Sequence, residues 1–384
     1  MNFDLGEDDR LLVEGVREFC EREIAPHAAA WDEAEAMPED LPARLAELGL
    51  LGMELPEETG GVGLSAVAGA AVVAELARAS AAVALSVAAH NALVVGYVHR
   101  CATAEQRDRC LPPLVDGRWL GAFALSEPAA GTDATALETV ARKAGNDYVL
   151  SGRKTTITHG TRAGLYLVAA RIETGDGPIG TFAVEADRPG IEKTRVPTLG
   201  MCACDVGDVT FADVRVPASG LLGTPGESWR DLKAVLDRGR INVAAMATGI
   251  AHAAFEAARD YAKERRQFGR PIADFQAIQW KLADMATRLE AARLLVMQAA
   301  AAHDAGLRVR ELAARAKVFA AETAVDAAND AVQIHGGYGY TREYPVERYL
   351  RDARLCGIGE GTNDVMRLLV GRAVARRFGG GAQA

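Results

Sequence analysis

Three glycine-punctuated segments hold the residues whose types and spacing suit them to chemistry. In Cys356-Gly357-Ile358-Gly359-Glu360-Gly361-Thr362-Asn363-Asp364 a carboxylate stands between two glycines, and Thr362 or Asn363 is placed to cap the helix that follows. Such a group, free of bulky neighbours, can face a cavity, and the amides of the helix behind it form an anion site. A helix start joined to a surface turn accounts for the same residues. In Phe123-Ala124-Leu125-Ser126-Glu127-Pro128-Ala129-Ala130-Gly131-Thr132-Asp133 a strand-like start runs into a small-residue turn whose amides can meet a phosphate. A domain-boundary turn with Ser126 and Thr132 as local caps is the alternative. In Gln333-Ile334-His335-Gly336-Gly337-Tyr338-Gly339-Tyr340 the glycines either cap a helix or let backbone approach a ligand, and His335 is expected to be structural.

Other chemistries lack their signatures. The sequence has no G-x-G-x-x-G after a strand, no G-x-x-x-x-G-K-[ST], no H-E-x-x-H and no G-x-S-x-G. The six cysteines contain no C-x-x-C pair, so neither a zinc site nor a disulfide framework is expected, and no metal is assigned.

Proline placement shows which elements must position these segments. Between Ala43 and Leu111 the only proline is Pro56, and between Gly226 and Tyr344 the only one is Pro271. Long alanine-rich stretches with apolar residues at helical spacing predict helices there. Leu12, Val16, Phe19 and Cys20 share one face of a first helix that Pro26 should end, and further helices are expected over 43–50 and 66–89. In the last third the expected helices are 240–265, 276–304, 310–334 and 363–377. Between Leu120 and Gly226 short β-type runs appear, 148–150, 166–169, 181–184 and 209–211, with turns at Gly175-Asp176-Gly177-Pro178 and Pro189-Gly190. A helical, then β, then helical order follows, with divisions at 1–120, 121–225 and 226–384; the tail Gly379–Ala384 is expected to fray.

The 384 residues suggest two to three domains at about 150 residues each. With 43 basic and 52 acidic side chains the net charge is −9, which gives no general attraction to nucleic acid or anionic lipid. Residues 79–98 carry no formal charge but are mostly alanine, so a buried core helix plus a turn is expected there, with no membrane insertion. An acidic N-terminus without an apolar h-region and cysteines read as free thiols point to the cytoplasm.

Taken in order, FALSEPAAGTD, KTTITHG, FADVRVP, LDRGR, ERRQFGRPIADFQ, QIHGGYGYTREYPVERYLRDAR and GEGTNDVMR resemble the acyl-CoA dehydrogenase family over nearly the whole chain, with FALSEP and the RQFG…FQ spacing similar to the short-chain branch. The resemblance implies an α+β fold: an N-terminal α-helical domain, a middle β-barrel-like domain and a C-terminal four-helix-bundle domain. It implies noncovalent FAD and oxidation of a short or branched acyl-CoA thioester to the trans-2-enoyl product. Glu360 matches the family's α-proton base, opposite the flavin N5 that takes the β-hydrogen as hydride. Some relatives carry the base in the stretch matching Leu236-Asp237-Arg238-Gly239-Arg240, where Gly239 cannot serve.

By the same matching, Phe123, Leu125, Ser126, Gly131 and Thr132 line the flavin, and Thr156 and Thr158 form its second contact. Arg265, Phe268, Gln276, Gln333, Gly336 and Gly337 reach the FAD of a neighbouring subunit, and Thr362 and Asp364 follow the base. Thr132, Asp237, Arg240 and Gly361 match substrate and pantetheine contacts. A homotetramer and an electron-transfer flavoprotein as electron acceptor are implied too. Departures occur at Thr156 (often Trp), His159 (often Asn), Cys202-Ala203-Cys204 (usually with Arg), Gly359 (often Tyr) and Asn363-Asp364 (usually Ser-Gln or Ser-Glu). Thr156 and Gly359 leave open an acyl-carrier-protein substrate or an oxygen-using oxidase. A non-catalytic helical oligomer is the remaining alternative.

Overall fold

A computed structural model describes residue 3, residues 5–173 and residues 177–378. Part of the expected Gly175-Asp176-Gly177-Pro178 turn and the tail 379–384 lie outside these residues. The chain opens with helices α1 (Glu7–Phe19), α2 (Ala28–Ala34), α3 (Leu41–Glu47), α4 (Ala66–Ala79), α5 (Ala81–Ala89), α6 (Gly96–Cys101) and α7 (Ala104–Val115). Pro26 does not end the first helical run. A π turn over Cys20–Ile24 and a 3-10 turn over Ala25–His27 carry the chain on into α2, because proline early in a new turn has no hydrogen bond to forfeit. The interruption expected within 79–98 comes at its start. The break falls at Ser80, which is extended, and a π turn over His90–Val95 joins α5 to α6. This run, Ala81–Cys101, is long and apolar enough to cross a membrane, yet 78% of its most apolar window is buried inside the protein.

Strands follow: β1 (Gly121–Ala124), β2 (Val140–Ala144), β3 (Asp147–Thr158), β4 (Leu165–Ile172), β5 (Ile179–Glu185), β6 (Ile191–Arg195), β7 (Val206–Pro217) and β8 (Leu221–Leu222). They form one sheet in the order β6-β7-β3-β2-β4-β5-β8, with β1 parallel to β4. Tyr166, Val168 and Ala170 of β4 face the sheet's own core beside Phe182 and Phe211, while Leu165 and Leu167 pack with Tyr97, Leu111 and Leu114 of α6 and α7. Burial on both faces explains why β4 reads as an unbroken apolar run.

The C-terminal helices are α8 (Ser228–Glu264), α9 (Gln276–Asp304), α10 (Arg310–His335), α11 (Val346–Cys356) and α12 (Asn363–Phe378), with a small hairpin of β9 (Arg266–Gln267) and β10 (Arg270–Pro271) before α9. α8 starts twelve residues earlier than the apolar spacing predicts, because its first turns pack Leu232 and Val235 against α6 and α7. Small residues let α4, α8 and α10 approach closely: a Cβ on Gly249 would lie 2.2 Å from the Ala74 carbonyl oxygen. One apolar core joins α1, α4 and α5 to α8 through α11, so the first and last helical parts share an interior and the sheet flanks it.

Candidate active site

Glu360 sits on the short link between α11 and α12. It has a φ of 56° and is followed by Gly361 at 92°, so two consecutive residues take the left-handed conformation. Non-glycine residues rarely do so, and the corner is held by its surroundings. Arg240 Nε of α8 donates to the Glu360 carbonyl oxygen at 3.2 Å, and Lys317 Nζ of α10 donates to the Gly361 carbonyl oxygen at 2.8 Å. Thr362 caps α12, its hydroxyl accepting from the Val365 amide at 3.3 Å. Of the two candidate caps, it is Thr362 that serves.

The corner turns the Glu360 carboxyl inward against α8. A Cβ added to Gly239 would lie 2.8 Å from the carboxyl carbon and 2.9 Å from both its oxygens, so the glycine is the space the carboxylate occupies. The residue as a whole is partly exposed, but Oε2 is buried and has no hydrogen-bond partner. Burial pushes the carboxyl up to about 7, against the pull of Arg240 and Lys317, whose charges favour the ionised form. An inward carboxylate with one unsatisfied oxygen and a pKa near neutrality can take up a proton from a bound molecule. Gly239→Ala is expected to displace it, and a crystal structure of the variant should show the Glu360 carboxyl turned away from α8.

Asp237 of α8 bonds Arg240 Nη1 at 2.5 Å and Arg310 Nε at 3.3 Å, so both its oxygens hold arginines in place. Sequence matching did not pick out Arg310 or Lys317. They lie in a stretch whose composition is that of an ordinary helix, and only the fold brings them under the Glu360 corner.

The turn after β1 is the second part of the site. Lys154 of β3, fully buried, donates to the Leu125 carbonyl oxygen at 3.0 Å and to Glu127 Oε1 at 2.7 Å. Glu127 also accepts from the amides of Glu138 and Thr139 at 2.5 and 3.0 Å. Burial lowers the Lys154 ammonium to about 8 despite that partner. Burial works against the Glu127 carboxylate too, yet the ammonium holds it below its ordinary range. The pair fixes both ends of the loop holding Leu125, Ser126 and Gly131. Phe123 packs its ring 5.7 Å from that of Tyr97.

Gly131 and Thr132 are exposed, a Cβ on Gly131 would meet nothing within 4 Å, and their amides donate to no group among the described residues. The Thr155 amide donates to the Ser126 carbonyl oxygen at 2.9 Å, which brings Thr156 and Thr158 of β3 beside the same loop. Thr156 is exposed, at a φ of 53°. His159, next to Thr158, is buried between Ser86 (2.7 Å) and the Gly121 carbonyl oxygen (2.9 Å); burial lowers its pKa, so it is neutral.

Arg265, Phe268, Gln276, Gln333, Gly336 and Gly337 gather elsewhere, at the far end of α8 and α10, and all six are exposed. α8 rises 1.5 Å per residue, so Arg265 stands about 37 Å from Arg240 along the helix. Arg265 lies 5.7 Å from the Tyr338 ring, and a Cβ on Gly336 or Gly337 would meet open space. Arg265 therefore stands far from the Glu360 corner within one chain. His335 is buried, bonded to the Ala331 carbonyl oxygen at 2.8 Å and stacked on Tyr261 with ring centres 4.1 Å apart, as a structural histidine should be. Open backbone amides at Gly131 and Thr132 beside the hydroxyls of Thr156 and Thr158 form a donor set that suits a phosphate-bearing group, and the orphaned Glu360 oxygen is an acceptor on a separate corner.

Comparison with known proteins agrees. The chain matches the acyl-CoA dehydrogenase N-terminal domain over residues 6–118, the middle domain over 122–214 and the C-terminal domain over 226–375. It is 42% identical to a probable acyl-CoA dehydrogenase of Bacillus subtilis, covering 98% of this chain and all of that one. It is 38% identical to the short-chain specific acyl-CoA dehydrogenase of Clostridium acetobutylicum with the same coverage. Among solved structures, butyryl-CoA dehydrogenase from Megasphaera elsdenii superposes with a TM-score of 0.95 at 38% identity, over 98% of this chain and 100% of that one. A chain from the structure of the electron transferring flavoprotein of Acidaminococcus fermentans gives 0.96 at 41% identity, again over 98% and 100%. A glutaryl-CoA dehydrogenase of Mycobacterium smegmatis, in complex with FADH2, gives 0.92 at 29% identity over 96% and 95%. Matches that run through all three domains, together with the geometry around Glu360, show that this chain belongs to the FAD-dependent acyl-CoA dehydrogenase family.

Proposed function

We propose that the chain removes the α-proton and β-hydrogen of a short or branched acyl-CoA to give the trans-2-enoyl thioester, with Glu360 as the base. The buried, unpartnered Oε2 beside Gly239 carries this proposal. When bound, FAD would supply a two-electron acceptor for the β-hydrogen. The loop clamped by Lys154 and Glu127, with Gly131, Thr132, Thr156 and Thr158, would hold the cofactor, and Thr362 and Asp364 flank it behind the base. Arg240 and Gly361, with Asp237 steadying the arginine, would line the path of the pantetheine arm. Glu360 takes the α-proton as the carbon–carbon double bond forms, and desolvation at the site keeps its carboxylate basic enough to do so.

The 37 Å separation supports a shared site: Arg265, Phe268, Gln276, Gln333, Gly336 and Gly337 would reach the FAD of a neighbouring copy, in a homotetramer. FAD would then stabilise the assembly by mass action. The proposal extends to an electron-transfer flavoprotein as acceptor and to the cytoplasm as location. Mixing the protein anaerobically with a panel of acyl-CoA thioesters should bleach the flavin fastest with short or branched chains, followed by reoxidation by an electron-transfer flavoprotein. Thr156, exposed where relatives often have an aromatic ring, favours a second reading with oxygen as acceptor or an acyl-carrier-protein substrate. Rapid reoxidation by air, or bleaching by acyl-carrier-protein thioesters alone, would replace the first reading with the second.

A further inference from the structure

Lys317 is fully buried in the middle of α10, and its two hydrogen-bond acceptors, the Gly361 carbonyl oxygen at 2.8 Å and Asn363 Oδ1 at 3.1 Å, are both uncharged. A buried ammonium ordinarily faces a carboxylate, since desolvation penalises the bare charge. No ion pair of Lys317 occurs among the described residues. Both of its acceptors instead belong to the corner that carries Glu360, on the C-terminal side of the base.

The ionisable and charged groups around this spot come from four elements. From α8 come Arg240 on the Glu360 carbonyl oxygen and Asp237 behind it; from α10, Arg310 on Asp237 and Glu322, which accepts from Asn363 Nδ2 at 3.4 Å and pairs with Arg367. From α11 comes Cys356, whose buried thiol is pushed up to about 12 and stays neutral, and from the link to α12, Glu360 itself. Asp237 is paired with two arginines and Glu322 with Arg367, so Glu360 is the carboxylate left for the Lys317 charge to act on.

We propose that Lys317 is the positioning residue of the base: its ammonium pins the left-handed Glu360-Gly361 corner and keeps the Glu360 carboxyl ionised at its inward position. This rests on the assignment of Glu360 as base and adds a second residue on which its protonation depends. Hydrogen bonding to Gly361 sets direction, and the charge sets the proton affinity.

The test is to titrate Glu360 in the FAD-loaded protein with and without the Lys317 charge. The carboxyl stretch of Glu360, identified in infrared difference spectra by its loss in Glu360→Gln, is followed against pH beside the pH profile of flavin reduction. In Lys317→Met the midpoint should move up by about one unit in both, with FAD content and thioester affinity within about twofold. Lys317→Arg should keep the wild-type midpoint even where packing slows the reaction. Lys317→Gln retains an N–H donor on a side chain one bond shorter, and it should shift like the methionine variant. It also supplies the measurement should Lys317→Met not fold. Slower reduction with an unmoved midpoint in the uncharged variants would overturn the proposal and leave Lys317 a packing residue. Flavin reduction surviving in Glu360→Gln would instead remove the base assignment, so the two failures are distinguishable.

Discussion

Glu360→Gln should bind FAD and thioester normally yet reduce its flavin about a thousandfold more slowly, within the range of 10²–10⁴ that a positioned proton acceptor supplies. The amide has nearly the same shape, so the corner and its bonds to Arg240 and Lys317 survive, but it cannot take the α-proton. The same change should affect stability with a definite pH dependence. The folded pKa is raised from 4.5 to about 7, so between those values the folded protein keeps a proton that the unfolded chain has released. The stabilisation tied to that proton is full below pH 4.5 and lost as the pH rises through 7. Glu360→Gln, which has no charge to bury, should gain up to about 3 kcal/mol over wild type above pH 7 and nothing near pH 4. Thermal melts at pH 4, 6 and 8 check it; equal gains at all three would mean that the carboxyl is not desolvated.

Lys154→Met should have the largest structural effect. It leaves the Glu127 carboxylate buried without its cation, a change that costs about 3–5 kcal/mol in comparable pairs. It also frees the Leu125 carbonyl oxygen, so the loop meant to meet the flavin loses one of its fixed ends. The variant should melt earlier and lose FAD on gel filtration. Adding Glu127→Gln should recover part of the stability, because the amide strands no charge, although its single oxygen can accept from only one of the Glu138 and Thr139 amides that the two carboxylate oxygens hold. A double variant no more stable than Lys154→Met would show that the pair matters for something other than its charge.

The helix–sheet–helix order could be read from the sequence because proline and glycine are unevenly distributed and alanine-rich helices keep their spacing over many turns. α9 spans the residues that its spacing predicts, Gln276–Asp304. Errors arose where local signals were outvoted by packing. Pro26 reads as a stop but falls where a new turn has no bond to lose. Glu360 stood out because two glycines flank it, and Gly239 because it occupies the alternative base position. That the two touch depends on α8 crossing the link before α12, which no local pattern encodes. Lys317, Arg310 and the Lys154–Glu127 pair were harder to see still: a single cation in a helix or strand looks like a solvated side chain until the fold buries it.

The account stands on Glu360 being a desolvated carboxylate that takes the proton. Single-turnover flavin bleaching by an acyl-CoA, recorded from pH 5 to pH 9 under anaerobic conditions, tests this most directly. The rate should rise with pH through a midpoint near 7, below the range near 8 in which the buried Lys317 ammonium loses its own proton. A rate that is flat across the range, or that has already levelled by pH 5 as an ordinary exposed carboxylate would give, would contradict it.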